Sequence, residues 1–131
     1  MRILIVEDEV LIAMHLEMML EDFGHQPCGI ATDPQEALAL AASEQPDLAL
    51  MDVRLARGTS GIEAARLLHE SIGLRCLFVS GNIDDQMKAA VRACNPLGFA
   101  GKPVLPETLR KALAAAEADL HSAPEPPAPA G

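Results

Sequence analysis

The chain has 131 residues, half of them apolar, and a formal net charge of −9. That length fits one compact domain with its own core and leaves no room for a second, and the acid excess argues against a nucleic-acid surface, which needs clustered Lys and Arg to neutralise phosphates. Three widely spaced cysteines, Cys28, Cys76 and Cys94, give neither a disulfide framework nor a zinc spacing and suit small buried hydrophobes in a reducing compartment.

The amino-terminal "MRILIVEDE" holds a five-residue apolar run with acids directly behind it. It is too short for a signal peptide core or a membrane span, so a cytoplasmic protein is expected. "RILIV" (Arg2–Val6), "LALM" (48–51) and "CLFV" (76–79) are short continuous apolar runs, the pattern of parallel strands buried on both faces. After the first run, Ile12, Leu16, Met19, Leu20 and Phe23 repeat at helical spacing up to a C-terminal cap at Gly24. "CGIA" (28–31) reads as a weaker second strand. The next helix opens with Thr32 or Asp33 as N-cap and Pro34 in the first turn, and it ends before Pro46. A third helix is expected over 62–71, a fourth over 84–94, a fifth strand "LGFA" over 97–100, and a last helix over 106–120. The Pro- and Ala-rich "SAPEPPAPAG" (122–131) has no periodicity, and it is expected to be a disordered tail or a linker remnant beyond a domain of residues 1–121.

Five repeats of strand then helix imply an α/β fold, a doubly wound parallel sheet with helices on both faces. The common five-stranded order is 2-1-3-4-5, with strands 1 and 3 adjacent at the switch point where ligands bind beyond the carboxyl ends. Glu7, Asp8 and Glu9 follow the first strand, and Asp52 follows the third. Carboxylates gathered at one edge repel one another and lose hydration unless a cation neutralises them. A hard divalent ion with oxygen ligands fits, Mg²⁺ first and Mn²⁺ as a substitute. The fourth strand ends at Ser80 and the fifth is followed by Lys102. A metal ion, a hydroxyl and an ammonium around one carboxylate can neutralise the equatorial oxygens of a phosphoryl group, which makes Asp52 the nucleophile. Taken singly, Ser80 would be an ordinary turn residue and Lys102 a solvated cation. Their positions at consecutive strand ends give them a shared purpose.

"LIVEDE", "LALMDVRL", "FVSG" and "GFAGKP" appear in order over nearly the whole chain and resemble the CheY-like receiver domain of two-component response regulators. The resemblance implies a flavodoxin-like sheet of five strands in order 2-1-3-4-5 with five helices. It also implies that Asp52 is the phosphoacceptor, that Glu7 and Asp8 serve Mg²⁺ with Asp52 and the Arg54 backbone carbonyl, and that Lys102 binds phosphate. Ser80 would be the hydroxyl switch, Phe99 the aromatic switch, and the Lys102–Pro103 peptide cis. A sensor histidine kinase or histidine phosphotransfer protein would donate the phosphoryl group. A downstream protein target would read the face formed by helix 4, strand 5 and helix 5, with Asn82 and Ile83 on the loop that moves. A phosphorylation-dependent dimer stays open. No output domain follows the last helix, so a stand-alone regulator is expected unless the tail is a cut linker.

Three departures stand out. Receivers commonly place Met-Pro after the phosphoacceptor strand, whereas this chain has Leu55 and Ala56 and a loop one residue longer before Gly61. Arg54 puts a cation two residues from the nucleophile. Phe99 lacks the hydroxyl of the more usual tyrosine, so packing alone would report the inward or outward state.

Helix 1 carries a second pattern. Leu11, Met14, His15 and Met18 recur at spacings of three and four on a side away from Ile12, Leu16 and Phe23. In the family helix 1 meets the kinase or phosphotransfer bundle, so these four are the expected docking residues. Two other classes compete. A receiver-like module that binds partners without phosphorylation would have no use for the complete acidic, hydroxyl and lysine set. A haloacid dehalogenase-type phosphatase needs a second Asp two residues after the nucleophile, and Arg54 stands there instead.

Overall fold

The computed structural model describes residues 1–55, 60–81 and 85–122. Strands β1 (Arg2–Val6), β2 (Gln26–Ala31), β3 (Leu48–Asp52), β4 (Cys76–Ser80) and β5 (Gly98–Gly101) alternate with helices α1 (Val10–Asp22), α2 (Pro34–Glu44), α3 (Gly61–Ile72), α4 (Asp85–Arg92) and α5 (Pro106–His121). All the strand pairs are parallel, and the sheet order is β2-β1-β3-β4-β5, the doubly wound order the sequence predicts.

Two apolar layers explain the continuous strand runs. Leu4, Val6, Ala49, Met51 and Phe78 point to one face, where Ala37, Ala41, Ala64, Leu68 and Val91 of α2, α3 and α4 cover them. Ile3, Ile5, Leu48, Leu50 and Leu77 point to the other, under Leu16, Leu20, Leu109 and Leu113 of α1 and α5. Alternate residues of one strand therefore enter opposite cores, which is why no polar alternation is visible.

The helix ends follow local chemistry. Asp33 caps α2: its side chain accepts from the Glu36 amide at 2.8 Å, while the Glu36 carboxylate accepts from the Thr32 amide at 3.0 Å. Gly24, just past α1, takes φ +86°, a backbone region that costs glycine little. Strand β2 begins two residues earlier than "CGIA" suggests. Pro27 lies inside it because β2 is an edge strand with a register shift opposite Ile3 and Leu4, where a missing amide is tolerated. Strand β5 is displaced by one residue from the expected 97–100, and α4 is shorter than expected, with residue 84 outside the described residues. Among the described residues no helix is long and apolar enough to cross a membrane.

At the amino edge of the sheet Arg75 ties β4 to the next crossover and to α5. Its Nε donates to the Asn95 carbonyl at 2.8 Å, and a terminal guanidinium nitrogen reaches Asp119 Oδ2 at 3.0 Å. The opposite, carboxyl edge is thereby left to the polar residues.

Candidate functional site

Strand register sets the row. Val6 pairs with Met51, Asp52 with Val79, and Ser80 with Gly101. The residues one step beyond these positions, Glu7, Asp52 itself, Ser80 and Lys102, therefore emerge together at the carboxyl edge beside the β1–β3 switch point.

Glu7, Asp8 and Asp52 each offer a carboxylate oxygen within 4.8 Å of the others. Glu7 is 1% exposed and Asp52 6%, so two of the three acids are nearly dry. Lys102 Nζ stands 3.1 Å from Asp52 Oδ1 and 3.5 Å from Glu7 Oε1. The Asp8 amide donates to Glu7 Oε2 at 3.0 Å, and the Arg54 amide donates to Asp52 Oδ1 at 3.3 Å. Glu7 Oε1 is buried without a hydrogen-bond partner.

The electrostatics follow from this crowding. Burial first, and then the hydrogen bond and charge of Asp52, push the Glu7 carboxyl up to about 8, with Lys102 pulling the other way. For Lys102, burial opposes the charged form, but Asp52 and Glu7 outweigh it and its pKa is raised. One ammonium cannot hold both buried acids ionised, and without a further cation Glu7 keeps its proton at neutral pH. A divalent cation fits this donor set: it would take the unpartnered Glu7 oxygen, supply the missing charge, and find only hard oxygen ligands.

The remaining predicted residues take these positions. Ser80 ends β4, half-buried, and its carbonyl accepts from the Lys102 amide at 3.0 Å. Phe99 on β5 is 49% exposed, with its ring centroid 5.9 Å from that of buried Phe78 in a stacked arrangement. Lys102–Pro103 is a cis peptide. Arg54 is exposed, and its backbone bridges to Ser60. Leu11, Met14, His15 and Met18 all lie on the exposed side of α1, the helix that directly follows Glu7 and Asp8. The loop lengthening at 56–59 and the loop residues Asn82 and Ile83 lie outside the described residues.

Sequence reasoning used Gly61 only as a landmark. A Cβ there would stand 1.7 Å from the Asp52 carbonyl oxygen and 2.9 Å from Val53 Cα, while the Gly61 amide donates to the Val53 carbonyl at 2.7 Å. The start of α3 is packed directly on the backbone that carries Asp52. Only a residue without a side chain permits that approach. Ser60 before it caps the helix, accepting from the Ile62 amide at 3.1 Å.

The response regulator receiver domain family matches residues 3–114. The chain belongs to this family. Among curated relatives, this receiver is 42% identical over 79 residues to the phyllosphere-induced regulator PhyR of Methylorubrum extorquens, a match over 60% of the chain and 30% of that protein. It is 33% identical over 115 residues to PilH of Pseudomonas aeruginosa, covering 86% of the chain and 93% of PilH. The receiver thus spans under a third of that PhyR but nearly all of PilH. Among solved structures, the signal receiver domain of a modulated diguanylate cyclase from Desulfovibrio desulfuricans superposes with a TM-score of 0.82 at 31% identity, covering 91% of this receiver and 94% of that chain.

Proposed function

We propose that this receiver accepts a phosphoryl group on Asp52 from the phosphohistidine of a histidine kinase or phosphotransfer protein, and so acts in a two-component phosphorelay. The observation that carries the reading is the buried Asp52 carboxylate held by Lys102 at 3.1 Å beside Glu7 and Asp8. An Asp52 oxygen attacks the phosphorus in line, and the phosphorus–nitrogen bond to the donor imidazole breaks with its electron pair returning to the ring. The product is an acyl phosphate. Glu7, Asp8, Asp52 and the Arg54 carbonyl would hold Mg²⁺ or Mn²⁺, whose charge neutralises phosphoryl oxygens and the transition state.

Lys102 is positioned to leave Asp52 for a phosphoryl oxygen, keeping one cation on the group throughout. Water attacking the phosphorus breaks the new oxygen–phosphorus bond and restores the carboxylate with release of inorganic phosphate. Arg54, exposed two residues away, would screen that water or contact the phosphoryl group. Attraction of the Ser80 hydroxyl by the phosphoryl group would open room beneath the outward Phe99, and its inward turn would alter the α4–β5–α5 face. The exposed α1 stripe of Leu11, Met14, His15 and Met18 would receive the helical bundle of the donor. Residues 1–121 would form the functional domain of a cytoplasmic protein, with 122–131 as its tail.

Intact mass after incubation with acetyl phosphate and Mg²⁺ tests the central step. The native chain should gain one phosphoryl group and Asp52→Asn none. A native chain that stays unmodified, or a mutant that gains the group equally, would end the proposal. Output that survives Asp52→Asn unchanged would favour the phosphorylation-independent binding module.

A further inference from the structure

Helices α1 and α5 begin at Glu9 and Leu105 with no side-chain cap bond, so the fold does not demand a capped start. Helix α3 has one: the Ser60 hydroxyl oxygen accepts from the Ile62 amide at 3.1 Å. Ser60 is also the residue that Arg54 faces in an isolated antiparallel bridge. The cap therefore sits where the start of α3 meets the backbone that continues β3 past Asp52.

That bridge fixes the direction of the Arg54 peptide groups. The Gly61 amide, one residue after Ser60, donates to the carbonyl of Val53, one residue before Arg54, at 2.7 Å. Arg54 and Ser60 are then the non-hydrogen-bonded pair of the bridge, in which the N–H and C=O of each residue point away from the facing segment. The Arg54 amide follows this rule and donates to Asp52 Oδ1 at 3.3 Å, on the side of the acidic cluster. The Arg54 carbonyl is carried to the same side. Val53 and Leu55, buried in the core under α3, pin the backbone before and after it. A carboxylate on a rotatable side chain can swing toward an ion, but a backbone carbonyl turns only if its chain moves. Its contribution as a ligand depends on what braces that chain.

We propose that Ser60 is a positioning residue for the cation site: by capping α3 it holds its own backbone and that of Gly61 on Val53 and Arg54, and so keeps the Arg54 carbonyl toward Glu7, Asp8 and Asp52. The inference rests on the reading that these three acids and that carbonyl hold a divalent cation. Ser60 is not itself a ligand. It acts through Arg54, as a partner behind a metal ligand acts by fixing that ligand's direction.

The test uses the full chain and Mn²⁺ as the probe, with the free ion counted by electron paramagnetic resonance. Binding that Asp8→Asn abolishes belongs to the acidic cluster. Ser60→Ala should bind Mn²⁺ about tenfold more weakly, the lower end of the loss expected for a residue behind a metal ligand. Ser60→Asn restores a good cap and should return the affinity close to the native value, whereas Ser60→Gly, which weakens a helix start little but has no hydroxyl, should bind as weakly as Ser60→Ala. Urea unfolding in EDTA reads the stability of each variant separately, and Ser60→Gly carries the comparison if Ser60→Ala shows no cooperative transition. A cap that served α3 alone would lower the urea midpoint of Ser60→Ala and leave Mn²⁺ affinity unchanged; that result overturns the proposal, as does native affinity in Ser60→Gly or no recovery in Ser60→Asn. Asp8-dependent binding indifferent to Ser60 overturns the proposal alone. A native chain without Asp8-dependent binding overturns the cation reading and the proposal with it.

Discussion

Asp52 owes its setting to two residues of unlike legibility. The convergence of Glu7, Asp8 and Asp52 can be read from the sequence because strand ends and strand order place them together. Gly61 cannot, because nothing local distinguishes a glycine that opens a helix from one that packs on another strand's carbonyl. Gly61→Ala should force β3 and α3 apart, since the new Cβ meets backbone atoms of Asp52 rather than a yielding side chain. A loss of roughly 2–4 kcal/mol in chemical denaturation is expected, at or above the usual range for overpacking, with slower acetyl phosphate labelling. Wild-type stability and rate in this variant would show that the contact is unimportant. Glu7 supplies a second prediction at this scale, in metal-free protein. Its carboxyl rises in the folded state to about 8 from an ordinary 4.5, so between those values the folded chain holds a proton that the unfolded chain releases. Stability therefore falls as pH rises through that window and levels off above it. His25, lowered by burial, acts in the opposite sense as it loses its proton, so the comparison with Glu7→Gln isolates the effect. In EDTA the native denaturation midpoint should decline from the acid to the alkaline end of the window relative to that of Glu7→Gln. Parallel profiles would show that Glu7 ionises normally.

At the scale of elements, strands buried on both sides were readable because each run serves two cores and admits no polar residue. The start of β2 was hidden by Pro27, which argues for a loop unless the strand is known to be at an edge. Helix α1 shows both behaviours. Its buried side, Ala13, Leu16, Met19 and Leu20, holds it to the sheet, while Leu11, Met14 and Met18 remain 81%, 51% and 62% exposed. Helix stability does not need that outer stripe, so Leu11→Asp with Met18→Asp should leave the unfolding midpoint nearly unchanged. Phosphoryl transfer from a histidine kinase should slow by about tenfold or more, as for loss of central apolar contacts at an interface, while acetyl phosphate labelling persists. Equal slowing with both donors would remove α1 from the docking surface.

For the molecule as a whole, the charge of −9 and the acidic cluster pose one electrostatic problem at two ranges. Repulsion among dispersed surface acids is relieved by any salt within a Debye length. The crowding of Glu7, Asp8 and Asp52, two of them buried, is met by Lys102 and by the proton on Glu7, and distant salt adds little unless a cation enters the site itself. Mg²⁺ and Na⁺ at matched ionic strength should therefore differ. A ligand that binds the folded state alone stabilises it by about 2.7 kcal/mol at a hundredfold excess over its Kd, which for a chain of this size corresponds to a rise in melting midpoint on the order of 10 °C. Sodium should give only the smaller screening effect. Asp8→Asn, which removes the most exposed of the three acids and so leaves the fold intact, should abolish most of the difference between the two salts. If the salts act alike on the native chain, or if Asp8→Asn retains the full Mg²⁺ increment, the cluster does not hold the ion and the charge balance at Asp52 must come from Lys102 alone.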